Sequence, residues 1–196
     1  MHFFEPVYGA TPIEDISELI PTHISTRDEL NEWEAENILK ASKKYLSRKR
    51  HRSINLEWIK NVHRDMFDGT WKWAGKFRKI NCIVGVDHHK IREELKKLVD
   101  DINYWRNNDN SIGILKQSVR IHHRLVKIHP FVNGNGRHAR LIADVYLFNN
   151  EHELPVWPER TLIERTDIRK KYIQALQAAD KGDYDQLESF TRKLIK

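Results

Sequence analysis

The spacing of apolar residues along the chain predicts a mostly helical protein. After the caps Ser25 or Thr26, Leu30 and Trp33 begin a pattern of apolar residues at helical spacing, which predicts a helix running toward Tyr45. The same periodicity predicts further helices over 54–66, 92–107, 112–128, 136–148, 160–179 and 183–195. Residues 1–24 hold three prolines and little periodicity, so we expect an irregular arm there.

One segment between these helices has a different pattern. Residues 77–84 partly alternate apolar and polar positions and include β-branched side chains. Gly85 interrupts this pattern, and residues 86–91 can form the returning strand. The pattern predicts a small β-hairpin, the only one in the chain. The expected fold class is therefore all-α with one hairpin.

Composition narrows the class of protein. The 196 residues suit one domain, or one domain with a small appendage, and 39% hydrophobic residues are enough for a core. The single cysteine, Cys82, excludes an internal disulfide framework and a multi-cysteine zinc site. No apolar run approaches the roughly 20 residues of a membrane span, and the N-terminus lacks the pattern of a signal peptide, so we expect a soluble cytoplasmic protein without membrane contact.

The charge balance admits an anionic partner. The net charge of +6 favours nucleic acid or nucleotide phosphate, and residues 40–52 form the densest basic run. That run could bind nucleic acid, but it has no aromatic platform or recognition motif beside it. The solvated end of a helix is the favoured interpretation, and nucleic acid is not the expected partner.

The segment His129–Arg140, HPFVNGNGRHAR, carries the candidate chemistry. Pro130 ends the preceding helix, and two glycines one residue apart allow a ligand to approach the backbone closely before the next helix begins. The N-terminus of a helix behind such a turn is an anion site. Arg137 and Arg140 lie on one face of its first turn, where a polyphosphate would offset their unfavourable interaction with the helix dipole. A neutral His129 at the other lip of the loop could accept a proton.

At these residues the chain resembles the Fic family, whose signature is His-x-Phe-x-Asp/Glu-Gly-Asn-Gly-Arg-x-x-Arg. Residues 73–78, WAGKFR, are similar to the family's approach to its flap hairpin, and residues 172–176 with Asp180 are similar to its last core helix. The resemblance covers about 50–196, with the mobile mystery protein B subgroup the most similar. It divides the chain into an N-terminal arm and helix with a regulatory role, 1–49, and a Fic domain, 50–196.

The resemblance implies a protein adenylyltransferase that moves AMP from ATP to a Ser, Thr or Tyr hydroxyl of a target protein and releases pyrophosphate. His129 would be the base, Phe131 a packing residue, and the target would dock on the flap near 78–91. The remaining roles are in the nucleotide site: Gly134, Asn135 and Gly136 would cradle the α- and β-phosphates, and Arg137 and Arg140 would hold the β- and γ-phosphates.

Asn133 departs from the family pattern. The family has a carboxylate there that helps hold Mg²⁺, whereas an amide offers only a neutral oxygen, a weaker ligand. Three outcomes stay open: Mg²⁺ bound through phosphate oxygens with slower transfer, a different phosphate-linked donor, or nucleotide binding without turnover. We take the first as the working hypothesis. The alternative function is a non-catalytic module that binds nucleotide or nucleic acid.

Two further expectations concern regulation and metals. In the family a glutamate of the motif Ser/Thr-x-x-x-Glu-Gly/Asn often pairs with the second arginine, and Glu36-Asn37 has only the end of that motif. Glu36 is the candidate inhibitory residue, and a separate antitoxin is another source of restraint. His122, His123 and His138 lie close to the motif in sequence, but without a nearby acidic residue they do not predict a zinc site.

Overall fold

The computed structural model describes residues 16–49, 53–108, 112–163 and 166–196, and these residues form eight α-helices, with a long connection over 68–90 between the second and the third. The helices are α1 Arg27–Leu46, α2 Leu56–Phe67, α3 Ile91–Asn108, α4 Ile114–Ile128, α5 Asn135–Asn149, α6 Glu159–Ile163, α7 Asp167–Asp180 and α8 Asp185–Arg192. The predicted all-α class is confirmed.

The predicted start of α1 is confirmed by its cap. The Thr26 hydroxyl accepts from the Glu29 N–H at 3.2 Å, and the Glu29 carboxylate accepts from the Thr26 N–H at 3.0 Å. This reciprocal pair satisfies two N–H groups that a helix start otherwise leaves without acceptors. The far end of α1 is fastened to α2, where the Tyr45 hydroxyl donates to Asp65 at 2.6 Å.

The described part of the arm before α1, from residue 16 onward, contacts the core. Residues Ile16–Glu18 form a 3-10 turn, and Leu19 makes an antiparallel bridge with Trp71. The Ile20 N–H donates to the Thr70 carbonyl at 2.9 Å. The first fifteen residues of the predicted arm lie outside the described residues.

Two apolar clusters share α4 and α5. The first packs α1, α2 and α3 against them, around fully buried side chains that include Ile59, Met66 and Phe131. The second packs α7 and α8 against their other ends, around Tyr172 and Leu187. Most of α5 is buried, including polar side chains near its N-terminus. Burying polar groups costs free energy unless each has a partner. Because several polar side chains are nevertheless buried at the start of α5, we expect a functional site there.

The predicted β-hairpin is not confirmed. The segment 78–91, which we call the flap, contains bends and a 3-10 turn at His88–Lys90 but no paired strands. The buried guanidinium of Arg78 explains the difference. It donates to the carbonyls of Ile80 at 2.8 Å and of Val86, so one side chain satisfies backbone groups that a hairpin would pair across strands.

The C-terminal helices are shorter than the periodicity predicted. The predicted helix over 160–179 is two helices, α6 and α7, because the Thr166 hydroxyl accepts from the Arg169 N–H at 3.1 Å and caps a new helix start. The last helix, α8, ends at Arg192. Among the described residues, no helix is both long enough and apolar enough to cross a bilayer.

Candidate active site

The site is built on the loop that connects α4 to α5. His129 ends α4 in the left-handed conformation, with φ 52° and ψ 60°, and its N–H donates to the Leu125 carbonyl at 3.1 Å. Gly134 precedes α5 with φ 75°, and a Cβ there would lie 2.3 Å from the Phe67 ring. Both the backbone angle and the close ring therefore require glycine.

Internal hydrogen bonds hold the loop in shape. The Asn135 side chain accepts from the Phe131 N–H and donates to the Phe131 carbonyl, both at 2.9 Å. Phe131 is fully buried and stacks on His63 with ring centroids 3.6 Å apart. The Asn135 side chain is thus occupied by the loop itself, and the backbone of Asn135 remains the part that can face a phosphate.

His63 joins the loop to α2 and to the turn that follows it. Its Nδ1 accepts from the Gly75 N–H at 3.0 Å, so Nε2 carries the proton and donates to the Asn133 carbonyl at 3.1 Å. Burial, with the nearby His138, lowers the pKa of His63 well below its usual range. The ring is therefore neutral, as this pair of contacts requires.

His129 is in the protonation state that a base requires. Burial lowers its pKa to about 4, despite a hydrogen bond with the Val126 backbone that favours the charged form. At neutral pH the imidazole is uncharged and can accept a proton. Its own carbonyl accepts from Arg78 Nε at 2.7 Å, which fastens the flap to the end of α4.

The flap lies directly against His129. Gly85 has φ 102°, and a Cβ built on it would be 2.6 Å from the His129 Cβ. The Val86 N–H donates to the Ile128 carbonyl at 3.3 Å, and the Arg78 N–H donates to the Pro130 carbonyl at 3.0 Å. Flap and loop are therefore one hydrogen-bonded unit around His129.

Arg137 in the first turn of α5 pairs with a residue that the sequence did not single out. Its guanidinium lies 2.5 Å from the Glu34 carboxylate of α1 and packs over the Phe67 ring at 5.0 Å. Glu34 is buried and also accepts from Trp71 Nε1 at 2.7 Å. No local pattern could indicate this pair, because the two residues are 103 positions apart.

Arg140 is buried and engaged by a second carboxylate. Its Nε and one terminal nitrogen donate to the two oxygens of Glu159 at 2.9 and 2.5 Å, the two-pronged geometry typical of arginine and carboxylate. Trp157 and Tyr172 flank the guanidinium at 5.7 and 5.8 Å. No pattern in the sequence indicated this contact between Glu159 and Arg140.

Asp144 lies in α5 beside this pair. Burial raises its pKa to about 8, although Trp157 Nε1 donates to both carboxylate oxygens at 3.0 Å. Asp144 lies one turn from Arg140, but in its protonated form it carries no negative charge. Glu159 is therefore the carboxylate that balances the charge of Arg140.

Glu36, the candidate inhibitory residue, is placed differently from the expectation. It is exposed and pairs with Lys40 one turn along α1 at 2.7 Å. Residues two apart on a helix point in different directions, so Glu34 and not Glu36 faces α5. The structure brings neither arginine of the motif to Glu36.

The residues around the loop do not form a set of donors suited to a protein-held Mg²⁺. Mg²⁺ prefers hard oxygen ligands that include one or two carboxylates. Asn133 offers one neutral side-chain oxygen, which already accepts from the Gly134 N–H at 2.7 Å. The carboxylates of Glu34 and Glu159 are each paired with an arginine.

The three histidines near the motif have separate partners. His122 contacts the Tyr172 hydroxyl at 2.9 Å, His123 contacts Asp180 at 3.0 Å, and His138 contacts the Ile59 carbonyl at 2.9 Å. Each one connects α4 or α5 to a different part of the core.

The described residues thus form a helical domain in which a glycine-rich loop, a partly buried neutral histidine and two arginines near the start of one helix lie together. Residues 53–147 match the family model described as the Fic/DOC family. This region of the chain is therefore similar to that family.

Three comparisons show how similar this chain is to known proteins. Protein adenylyltransferase fic-1 of Caenorhabditis elegans is 29% identical over 155 residues, which are 76% of this chain and 28% of that protein. The solved structure of a Fic-1 fragment from C. elegans is 25% identical with a TM-score of 0.68, covering 91% of this chain and 52% of that one. BepC from Bartonella tribocorum, solved with bound AMPPNP, is 16% identical with a TM-score of 0.68, covering 94% and 98%. The chain thus spans less than a third of the curated relative.

Proposed function

We propose that this chain is a protein adenylyltransferase that transfers AMP from ATP to a hydroxyl of a target protein. The observation that carries the proposal is the His129 loop, in which an uncharged, partly buried imidazole lies at one end of a glycine-rich turn and two arginines follow at the other. The family and its adenylyltransferase relatives support the same reaction.

The reaction follows from these positions. His129 takes the proton of a Ser, Thr or Tyr hydroxyl as the oxygen attacks the α-phosphorus of ATP. A new P–O bond forms, the bond between the α-phosphorus and its bridging oxygen breaks, and pyrophosphate leaves. The α5 N-terminus would hold phosphate oxygens with the backbone N–H groups of Asn135 and Gly136, which helix geometry leaves without an acceptor within the helix, and Gly134 would let the phosphates approach closely.

The cationic side chains would neutralise the leaving pyrophosphate. Arg137 and Arg140 present guanidinium groups suited to phosphate oxygens, and stabilisation of developing charge is the main requirement of phosphoryl transfer. In this structure both are paired with carboxylates. ATP must therefore displace Glu34 or Glu159 to reach them, and we propose that this competition restrains the enzyme from within.

The flap would present the target. Ile80, Ile83 and Val84 are exposed, Ile83 to 98%, in a segment fastened beside His129. Exposed apolar side chains beside His129 suit an extended target peptide that docks on the flap. A target held there would bring its hydroxyl toward His129.

The metal requirement is the weakest match to this reaction. Because the protein offers no suitable set of carboxylates around the loop, Mg²⁺ would be held chiefly by the phosphates of ATP, with slower transfer as the consequence. Nucleotide binding without turnover, or transfer of another phosphate-linked group, is the alternative that Asn133 favours.

The organisation of the chain follows the same proposal. Residues 1–49 would form the arm and regulatory helix, and residues 50–196 the catalytic domain, in a cytoplasmic protein of the mobile mystery protein B subgroup. Glu34 lies in the first part and pairs across to Arg137 in the second, which supports the regulatory role. A separate antitoxin remains the alternative source of restraint.

Incubation with ATP labelled at the α-phosphate tests the function. The full chain should label itself or a protein in a lysate, and His129→Ala should reduce labelling by about 100-fold or more, the usual contribution of a general base. His152→Ala, which alters a histidine bonded to the Glu153 carbonyl, is the matched control and should label normally. Equal labelling by wild type and His129→Ala, or none by either, would refute the proposal.

A further inference from the structure

The flap ends in a group of metal-ligating side chains that the proposed reaction does not use. Asp87, His88 and His89 each offer one ligand atom, and these atoms all lie within 4.8 Å of one another. Asp87 begins the 3-10 turn at His88–Lys90, where its carboxylate accepts from the His89 N–H at 2.9 Å. The backbone thus directs three consecutive side chains to one place.

We propose that this group binds one divalent transition-metal ion of the zinc type through Asp87, His88 and His89. Two imidazoles and one carboxylate are the ligands that Zn²⁺ takes in sites with an open coordination position, whereas Mg²⁺ and Ca²⁺ prefer oxygen ligands alone. Water completes the coordination.

Asn81 supplies an independent observation in favour of a metal. Its side-chain oxygen lies 3.0 Å from His88 Nδ1 and also accepts from the His88 N–H at 2.8 Å. An amide oxygen only accepts, so Nδ1 carries the proton and Nε2 keeps its lone pair. A ligating histidine usually has this arrangement, with one nitrogen on the metal and the other donating to an oxygen.

Asn81 also positions the carboxylate. Its Nδ2 donates to Asp87 at 3.2 Å, so one amide contacts two of the three ligands. The His89 N–H also donates to this carboxylate at 2.9 Å, which limits its rotation. The second layer of contacts is therefore in place before any ion binds.

The remaining adjustment is small. Ligands about 2.1 Å from a tetrahedral ion are roughly 3.4 Å apart, so atoms up to 4.8 Å apart must close by at most about 1.4 Å. Asp87 and His89 are exposed and His88 is partly so, and rotation of these side chains supplies the movement without a change of backbone.

The bound ion would act on the flap. It would fasten Asn81 to the start of α3 across the loop that places Gly85 against His129. This inference is independent of AMP transfer, since it requires only the ligands and Asn81.

Titration calorimetry of the full chain with ZnCl₂ tests the site. We expect one saturable site, weakened at least about tenfold by His88→Ala or His89→Ala and about 10–100-fold by Asn81→Ala, the usual cost of losing a supporting contact. His152→Ala is the matched control and should bind like wild type, and MgCl₂ should give no heat of binding at this site.

Other results overturn the inference. Absence of zinc binding, or binding that neither His88→Ala nor His89→Ala weakens, rules out this site. Circular dichroism in zinc-free buffer checks that each variant is folded, so that a loss of affinity reports the lost ligand. Equal loss in His152→Ala would mean dispersed surface binding and would also overturn it.

Discussion

Single residues determine the shape of the loop between α4 and α5, where we propose that a nucleotide binds. Gly134 is fixed by a left-handed backbone and by the Phe67 ring 2.3 Å from a Cβ, and Asn135 is fixed by its two bonds to Phe131. Asn133 is different, because its side-chain oxygen accepts from the next N–H in the chain, a contact that an aspartate oxygen can also make. It is therefore the motif position where a change of chemistry can be made without changing the loop.

Asn133→Asp is the prediction at this scale. An aspartate oxygen can still accept from the Gly134 N–H, while the added charge supplies the carboxylate that Mg²⁺ prefers. We expect AMP transfer to increase and to reach half its maximum at lower Mg²⁺ concentration, measured by labelling across a MgCl₂ series. Asn103→Asp on α3 makes the same change away from the loop and should alter neither. If Asn133→Asp also alters neither, the metal argument is wrong.

Elements decide whether the arginines are available. α1 brings Glu34 to Arg137, and the first residue of α6 brings the Glu159 carboxylate to Arg140. Removing one partner of an ion pair that is shielded from water costs more stability than the pair itself contributes, because the remaining charge has no partner. We therefore expect each arginine to keep its carboxylate until another anion replaces it. The position of α1 on α5 thus couples the N-terminal part of the chain to the phosphate site.

Glu34→Gln and Glu36→Gln form a matched pair on α1. Glutamine at 34 can still accept from Trp71 Nε1 but no longer competes as an anion for Arg137. We expect at least about fivefold tighter binding of a non-hydrolysable ATP analogue, a typical coupling between two sites, together with more self-labelling.

Glu36→Gln should bind the analogue like wild type, because Glu36 pairs only with exposed Lys40 among the contacts found for it. Calorimetry of the two variants measures the difference directly. The same affinity for both would show that the contact in α1 does not restrain nucleotide binding.

The whole molecule is held together by buried histidines whose neutral state depends on burial. Burial lowers the pKa of His122 to about 3 and those of His129 and His138 to about 4. The unfolded chain, with histidine near 6.5, binds more protons than the folded one between about pH 4 and 6.5, so acid destabilises the fold there. Asp144 acts in the opposite direction, because its raised pKa favours the folded state as the pH falls below 8.

Urea unfolding across pH tests this balance. We expect each of the three histidines to destabilise the fold by about 1–2 kcal/mol at pH 5 relative to pH 7.5, as an order of magnitude. Asp144→Asn imitates the protonated acid and removes the opposing contribution, so its stability should fall more steeply between pH 7.5 and pH 5 than that of the wild type. Equal slopes for the two proteins would contradict the raised pKa of Asp144.

The sequence by itself determined the helical class, the start of α1 at Ser25 or Thr26, and the resemblance of the His129 loop to the Fic family. Those features depend on periodicity and on local hydrogen bonds, which neighbouring residues specify. The roles of His129, Asn135 and the two arginines remain predictions from the motif. Phe131, predicted to pack beneath the loop, is fully buried there.

Only the tertiary structure decided what those motif residues touch. It replaced the predicted hairpin with a flap bonded by Arg78, left Glu36 paired with Lys40, placed Glu34 on Arg137, and set Glu159 on Arg140, where the inhibitory glutamate was expected. Each of these contacts joins residues from separate elements, and their partners depend on how the helices pack and not on any spacing along the chain. Burial is the common physical reason, because a charged or polar group removed from water takes whichever partner the packing brings within reach.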